Sequence, residues 1–273
     1  MNKPGKSSQQ NRMPGNSVKS TLWKGRRARA IENDQVRLVS LMGGGHIAEF
    51  RFIDPSAKPP VNPLWEPPWN SIEPYQYKAK IHGLPYGPPA TGKTISGIAG
   101  HNICLDYFGA PSEEEAEQGL SIHGEASYSK WEELEKHVTS REASLTLGVR
   151  MPVAGLRFVR KIKLLRGESV AYFEETVINE RQADHFFHWV QHVTLGPPFL
   201  NGKESRISIS ATQGRTWPHG YEGKDLLKSS RDFRWPEAPG MSGGKNDLTR
   251  VFARRGRGFI VTLLLDPRRQ MEY

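Results

Sequence analysis

The stretch Leu156-Arg-Phe-Val-Arg-Lys-Ile-Lys-Leu164 decides the expected fold class. Apolar and basic side chains alternate along it, as they do on a strand with one face in a core and the other in water. A second alternating run covers residues 206–210, and segments 170–178, 185–195 and 259–265 are rich in β-branched and aromatic residues. Long runs with a helical period do not occur. We therefore predict a mainly β fold.

Helical signals are few. Ser112-Glu-Glu-Glu115 has the pattern of a capping box, and Gly119 follows as a stop signal, which predicts one short helix. Residues 130–137 fit either a helix or a strand. The chain also contains 27 Gly and 20 Pro, which punctuate many short strands. We expect a large antiparallel β-sandwich.

The basic residues are concentrated at the N-terminus. Residues 1–30 contain eight Lys or Arg and no acid, whereas the remaining chain is nearly neutral, so the net charge of +9 does not indicate a nucleic-acid partner. This polar segment lacks the apolar stretch of a secretory signal. We predict a disordered basic leader over residues 1–30 and a single β-sandwich domain over residues 31–273.

Composition also limits the setting. No segment approaches the roughly 18 apolar residues of a membrane span, so no membrane partner is expected. The single cysteine, Cys104, cannot form an internal disulfide, which favours a reducing, cytoplasmic location.

One segment matches a nucleotide-binding motif in its residues but not in its structural context. Gly87-Pro-Pro-Ala-Thr-Gly-Lys-Thr94 matches the phosphate-binding P-loop pattern. A true P-loop follows a buried strand and opens a helix, and neither flank fits that context. Pro88 and Pro89 also remove two of the N–H donors that would hold phosphate. We interpret the match as chance and expect a turn there.

Residues 55–89 are rich in proline and aromatic residues. Such a composition is unsuitable for a central strand and too aromatic for a flexible linker, so it predicts an ordered loop. Rings such as that of Trp65 could stack on a sugar or cap one end of the core.

Two histidine segments carry the chemistry: Leu120-Ser-Ile-His123-Gly-Glu-Ala126 and Phe187-His-Trp-Val-Gln-His192-Val-Thr-Leu-Gly196. Strand alternation would place His123 on a polar face with Ser121 and Glu125, which favours a cleft. A buried, hydrogen-bonded core position is the alternative for His192. A metal site formed by several imidazoles, including those of His46 and His101, ranks third, and we expect neither metal nor cofactor.

The order of several motifs resembles the galactose mutarotase-like (aldose 1-epimerase-like) superfamily, and its less characterised bacterial members in particular. The motifs are Ser96-Gly-Ile-Ala-Gly-His-Asn-Ile-Cys-Leu-Asp-Tyr-Phe-Gly-Ala-Pro111, Leu120-Ser-Ile-His-Gly124, Glu174-Glu-Thr-Val-Ile-Asn179 and Gln191-His-Val-Thr-Leu-Gly-Pro-Pro-Phe-Leu200. The resemblance runs from about Val36 to the C-terminus. It implies a supersandwich with a sugar site on its concave face.

The resemblance also implies roles. His192 would be the general acid that protonates the sugar ring oxygen, and His123 a ligand of the ring oxygen or a hydroxyl. Weaker candidates for substrate contacts are His101, Asn102, Glu125, Gln191 and Trp65. The implied activity is the interconversion of the anomers of an aldose, and the implied partner is a small-molecule sugar. The alternative is a carbohydrate-binding protein of the same fold without turnover.

One expected group has no clear equivalent. The family's general-base glutamate lies in a strand region after the second histidine, whereas this sequence stops at Gln270-Met-Glu-Tyr273 after a strand-like segment. Glu272 is a nominal candidate, but a terminal residue is poorly placed to be held rigidly. The sequence is therefore compatible with a shortened form of the family's domain.

Overall fold

Antiparallel strands form most of the regular structure. A computed structural model describes residues 15–53, 61–219, 224–251 and 258–268, and it divides the chain into two units, Met1–Phe199 and Leu200–Tyr273. We predicted a single domain over residues 31–273, whereas the chain groups into these two compact units. The reason is that residues after Phe199 build a sheet and a small core of their own.

The described residues of the N-terminal unit form ten strands. In chain order they are β1 (Ser17–Trp23), β2 (Arg26–Glu32), β3 (Val36–Leu41), β4 (Ile47–Phe52), β5 (His101–Cys104), β6 (Glu132–Val138), β7 (Glu142–Met151), β8 (Leu156–Leu165), β9 (Ala171–Asn179) and β10 (Val190–Val193). The first sheet has the order β1-β2-β3-β4-β5-β10, and the second has the order β6-β7-β8-β9. All their pairings are antiparallel.

The two sheets share one hydrophobic core. Leu38 and Ile103 contribute from the first sheet, and Leu145, Phe158 and Ile162 contribute from the second. Burial of such side chains contributes about 1.5–3 kcal/mol each. The prediction of a mainly β, antiparallel sandwich is thus confirmed for this unit, and β8 follows the alternation from which that prediction started.

The predicted leader is wrong for its second half. Strands β1 and β2 form a hairpin between Ser17 and Glu32, whereas residues 1–14 lie outside the described part. The hairpin is held because Ala28 and Ile31 are fully buried. Arg26 is also buried, and its guanidinium donates to the carbonyl oxygens of Gly97 (2.6 Å) and Gly43 (2.9 Å). Counting the charges of residues 1–30 could not predict that the Arg26 side chain is buried in the protein.

The helices are short: α1 (Ala79–Tyr86), α2 (Pro89–Ile95) and α3 (Glu113–Glu117). Helix α3 has the predicted capping box, since Ser112 Oγ accepts from Glu115 N (3.2 Å) and Glu115 Oε2 accepts from Ser112 N (2.7 Å). Residues 130–137, left open between helix and strand, lie mostly in β6. The proline-rich segment contains a 3₁₀ turn over Pro74–Gln76 as well as α1, and residues 54–60 of it are outside the described part.

The P-loop-like stretch forms helix α2 rather than the expected turn. Pro89 stands in the first helical turn, where a missing N–H costs nothing. The preceding element is helix α1 and not a strand. Lys93 Nζ donates to the carbonyl of Gly119, and Thr94 Oγ1 donates to that of Ile122 (2.8 Å). These side chains therefore tie α2 to the loop before His123, and the motif has a structural role.

In the part of the C-terminal unit that the structure describes, five strands form an antiparallel sheet. Its strands are β11 (Ala211–Thr216), β12 (Asp232–Arg234), β13 (Glu237–Pro239), β14 (Lys245–Asp247) and β15 (Val261–Leu265), in the order β14-β13-β12-β11-β15. Leu227, Phe233 and Leu248 form its core. The predicted strand at 259–265 is confirmed as β15. The strand predicted at 206–210 is wrong, because only Arg206 forms a bridge, to Arg250.

Candidate functional site

Strands β5 and β10 carry most of the predicted site residues. In their register His192 lies opposite Asn102, Val193 opposite His101, and Gln191 opposite Ile103. Directly opposite residues share a face, and successive residues alternate. The predicted residues are therefore divided, with His192 and Asn102 on one face and His101 and Gln191 on the other. The strand itself is shorter than the predicted 185–195, since it covers only Val190–Val193.

His123 does not lie on a strand, contrary to the prediction. It adopts φ +69° in a turn, its N–H donates to the carbonyl of Gly109 (2.9 Å), and its carbonyl accepts from Leu105 N (3.2 Å). Gly124 follows with φ +75°, and a Cβ there would overlap the carbonyl oxygen of Leu105. A positive φ and this close approach both require glycine, so the loop fixes where the His123 ring points.

The two histidines nevertheless meet. The ring centroids of His123 and His192 are 5.2 Å apart, at an interplanar angle of 35°. Phe108 stacks on His123 at 5.0 Å and lies 6.0 Å from His192. Both imidazoles are half-buried, whereas the Phe108 side chain is 46% exposed. We call these three residues the histidine pair site; it offers two proton-transfer groups beside an accessible aromatic ring.

The protonation state of His123 follows from its contacts. The backbone N–H of Gly109 donates to its Nδ1 (3.3 Å), so the neutral ring carries its proton on Nε2. Burial, together with the nearby His192, lowers the pKa of His123 to about 4. Burial also lowers the pKa of His192, an effect that its own backbone partly offsets. Both imidazoles are therefore neutral at pH 7.

Asn102 is fully buried beside His192. Its amide nitrogen lies 3.8 Å from the Cys104 sulfur, while its Oδ1 and the Nδ1 of His192 are buried without a hydrogen-bond partner among the described residues. Asn102 was predicted to contact substrate. A side chain with no exposed surface cannot do so in this state of the protein.

The opposite face holds a charged network. His101 Nε2 and Gln191 Oε1 are 2.6 Å apart, and Gln191 Nε2 donates to Glu175. Glu175 Oε1 accepts from Nε of the fully buried Arg160 (2.6 Å), which also donates to the carbonyl of Gly45 (3.0 Å). Burial, followed by the charge of Arg160, lowers the pKa of His101 to about 4. This network joins the two sheets and does not include the histidine pair site.

Glu125 is in a different environment from the predicted polar strand face. It begins a 3₁₀ turn over Glu125–Ser127, is buried, and accepts from Ala154 N at Oε2 (2.8 Å). Burial raises the pKa of its carboxyl group. It lines a cavity of about 250 Å³ together with Asp106 and His185, whose side chains are 2.7 Å apart. His123 and His192 are not among the lining residues.

Trp65 lies near the end of β10. Its backbone N–H donates to the carbonyl of Thr194 (2.8 Å), and its side chain packs against Gly196. The ring of Trp69 lies edge-on to it, with the ring centroids 5.6 Å apart. The Trp65 ring is half-buried, so both interpretations of this aromatic segment, sugar contact and core cap, stay open.

Sequence reasoning missed three residues around these strands: Phe108, Arg160 and Glu175. One signal was available for Arg160, because it occupies an inward position of the alternating stretch, where a basic residue must find a buried partner. The sequence contained no such signal for Phe108, since this residue lies in an irregular segment between β5 and α3.

The imidazoles do not gather around a metal position. Within the described ranges, no group of three His, Cys, Asp or Glu side chains is placed to hold an ion. His46, one of the imagined ligands, is fully buried between two carbonyl oxygens, with Nδ1 2.8 Å from Gly97 O and Nε2 2.9 Å from Ser127 O. Its role is to join two loops. None of the helices in the described ranges is long and apolar enough to cross a membrane.

Comparison with solved structures finds several neighbours, two of which are described as mutarotases or mutarotase-like. The mutarotase candidate YeaD from Salmonella typhimurium shares 12% identity over 84% of this chain and 63% of its own, with a TM-score of 0.46. A galactose mutarotase-like protein from Clostridium acetobutylicum shares 13% identity over 75% of this chain and 62% of its own, with a TM-score of 0.48. The chain thus spans less than two thirds of either structure. No protein-family model and no curated protein matches the sequence.

Proposed function

We propose that this protein binds an aldose at the histidine pair site and interconverts its anomers. The observation that supports this most directly is the 5.2 Å approach of two half-buried imidazoles beside the exposed ring of Phe108. An aromatic face is suited to the C–H face of a sugar, and two neutral imidazoles are suited to hydroxyl groups that both donate and accept hydrogen bonds.

The proposed chemistry uses both rings. His192 takes the proton of the anomeric hydroxyl, the bond between the anomeric carbon and the ring oxygen breaks, and the anomeric carbon becomes an aldehyde. The imidazolium of His192 then acts as the acid and returns that proton to the ring oxygen, while the Nε2–H of His123 hydrogen-bonds to the same oxygen. Rotation about the bond to C2 and reversal of these steps gives the other anomer.

This scheme keeps His192 as the acid and His123 as a ligand, but assigns no base outside the pair. Its starting state is a neutral His192, in agreement with the lowered pKa of that group. His101 and Gln191 are left out of the substrate contacts, because they lie on the opposite face of the sheet. As part of the same proposal the activity belongs in a reducing, cytoplasmic compartment, an inference that rests on the single cysteine of the sequence.

A second candidate is sugar binding without turnover. The observation that favours it is that, in the described part of the chain, no carboxylate forms a hydrogen bond or an ion pair with either imidazole of the pair. A pair without a permanent counter-charge holds a developing imidazolium less well.

The deciding experiment measures anomer exchange by NMR over a panel of aldohexoses and their 6-phosphates. We expect the wild-type protein to accelerate exchange for at least one sugar, and His192→Ala to lower that rate by about 100-fold or more. His137→Ala is the matched control, because His137 is an exposed histidine on β6 of the same unit. Full activity of His192→Ala would contradict the mechanism. Sugar binding with no acceleration by the wild type would establish the second candidate.

A further inference from the structure

Two buried polar atoms belong to directly opposite residues of the β5–β10 pair. Asn102 and His192 are direct partners in the antiparallel register, so their side chains leave the sheet on the same face. Asn102 Oδ1 and His192 Nδ1 both lack a hydrogen-bond partner among the described residues. Buried polar atoms are almost always paired in folded proteins, so two orphans on opposite residues indicate an interaction between them.

The chemistry of the two atoms sets the direction of this interaction. The Asn102 amide nitrogen faces the sulfur of Cys104, which accepts hydrogen bonds weakly, and this leaves the amide oxygen as the free end. An amide oxygen can only accept. The ring nitrogen opposite must therefore carry a proton if the two are to interact.

We propose that Asn102 is a positioning residue that holds His192 in the tautomer protonated on Nδ1, with its amide oxygen accepting a hydrogen bond from the Nδ1–H group. The ring nitrogen Nε2 of His192 is then unprotonated. This is the reverse of His123, in which Gly109 donates to Nδ1 and the proton resides on Nε2. The histidine pair site thus combines one acceptor nitrogen with one donor nitrogen.

This assignment deepens the proposed function and rests on it for its catalytic meaning. Anomer exchange needs a group that takes the hydroxyl proton and another that donates to the ring oxygen, and the two tautomers supply one of each. A partner that fixes the tautomer of a histidine commonly decides whether that ring serves as base or acid. The tautomer itself is a property of the sugar-free protein, so it can be measured separately.

The first test is ¹⁵N NMR of the full chain without any sugar. We expect the His192 ring to show a protonated Nδ1 and an unprotonated Nε2 at pH 7.5, and His123 to show the opposite pattern. A His192 ring with the proton on Nε2 would overturn the proposal, and this result needs no variant that has to fold.

The second test uses Asn102→Asp and Asn102→Leu, with Asn179→Leu as the matched control. The titratable neighbour facing His192 on this side is His123, while His101 interacts from the other face. We expect Asn102→Asp to raise the His192 pKa by about one unit or more, because a carboxylate stabilises the imidazolium. Asn102→Leu should mix the two tautomers. Asn179→Leu, the same substitution at an exposed residue of β9, should leave both readouts unchanged.

Asn102→Leu should also lower kcat by about tenfold or more, with little change in KM. If both Asn102 variants leave the pKa and the tautomer of His192 unchanged, the positioning role is overturned, whatever activity the variants have. The proposed function would fail separately if the NMR signatures changed as expected but no form of the protein accelerated anomer exchange.

Discussion

Phe108 and His123 stack with ring centroids 5.0 Å apart and an interplanar angle of 25°. The contact links an exposed loop residue to a histidine whose own backbone is fixed by Gly109 and Leu105. One ring is therefore held in place, and the other covers it on the side facing water. This arrangement gives the histidine pair site an apolar wall.

Removing that wall should weaken sugar binding more than it changes the fold. We expect Phe108→Ala to raise the dissociation constant for a bound aldose roughly twofold to tenfold, since an aromatic contact contributes about 0.5–1.5 kcal/mol beyond its buried area. Isothermal titration calorimetry would measure this dissociation constant. Phe199→Ala is the control, because Phe199 is a similarly exposed ring of the same unit (49%). Equal losses in both variants would argue against a specific role for Phe108.

The rate of anomer exchange should depend on pH through His192. Its pKa lies below the ordinary value of 6.5, and the proposed mechanism starts from the neutral ring. The rate should therefore be level above pH 6.5 and fall as the pH drops through the His192 pKa. His123, whose pKa is about 4, also protonates only in the acid range. A rate that falls as the pH rises would instead indicate that a preformed imidazolium is the acid.

Gly124 should be far less tolerant of a side chain than Gly167. Both have a positive φ, +75° and +83°, but only Gly124 has neighbours that a Cβ would meet, whereas Gly167 has open space. Gly167→Ala should cost about 1 kcal/mol of unfolding free energy for the backbone alone. Gly124→Ala should cost about 1–3 kcal/mol more, as overpacking does. Urea denaturation of both variants would measure the difference, and equal midpoints would contradict the steric argument.

Glu175 should contribute strongly to stability because its partner is inside the protein. Glu175→Gln leaves the fully buried Arg160 without a counter-charge, which typically costs about 3–5 kcal/mol. Glu180→Gln is the matched control, since its partner Arg150 is largely exposed and such pairs contribute up to about 1 kcal/mol. Chemical denaturation measures both. A loss no larger than that of the control would show that Arg160 finds another partner.

Acid should destabilise the protein partly through His46. Burial lowers its pKa in the folded protein to about 3, whereas the unfolded chain titrates near 6.5. Between these values the unfolded state binds the additional proton, so stability falls as the pH drops from 6.5 towards 3, by up to about 1.4 kcal/mol per pH unit for one such group. His46→Gln should reduce this slope in denaturation measured from pH 7 to pH 4. An unchanged slope would assign the effect to other groups.

The sequence contained enough to predict strands with a clear alternation, but not the elements that depend on distant contacts. Strand β8 could be predicted because each side chain faces either core or water, and alternation records that directly. The β1–β2 hairpin was missed because Arg26 is buried on backbone carbonyls, and its partners Gly97 and Gly43 lie far along the chain. Helix α2 was missed since prolines that end helices elsewhere are tolerated in a first turn.

The same limit applies to the site. His123 and His192 could be selected from their sequence context, but their approach depends on the turn at Gly124, whose positive φ no alternation pattern predicts. Asn102 could be selected, whereas its burial depends on the loop that covers β5. Arg160 and Glu175 form a pair between neighbouring strands. The inward position of Arg160 predicts a buried partner, but the sequence does not indicate which acidic residue it is.

Cys104, the partner of Val190 in the β5–β10 pair, is the one thiol of the sequence. It is fully buried, and burial raises its pKa to about 12, so the folded protein presents almost no thiolate to a modifying reagent. A thiol-specific dye therefore reacts only when this strand pair opens. The protein carries its own reporter of local unfolding, and the labelling rate measures how often the strand that bears His192 leaves the sheet.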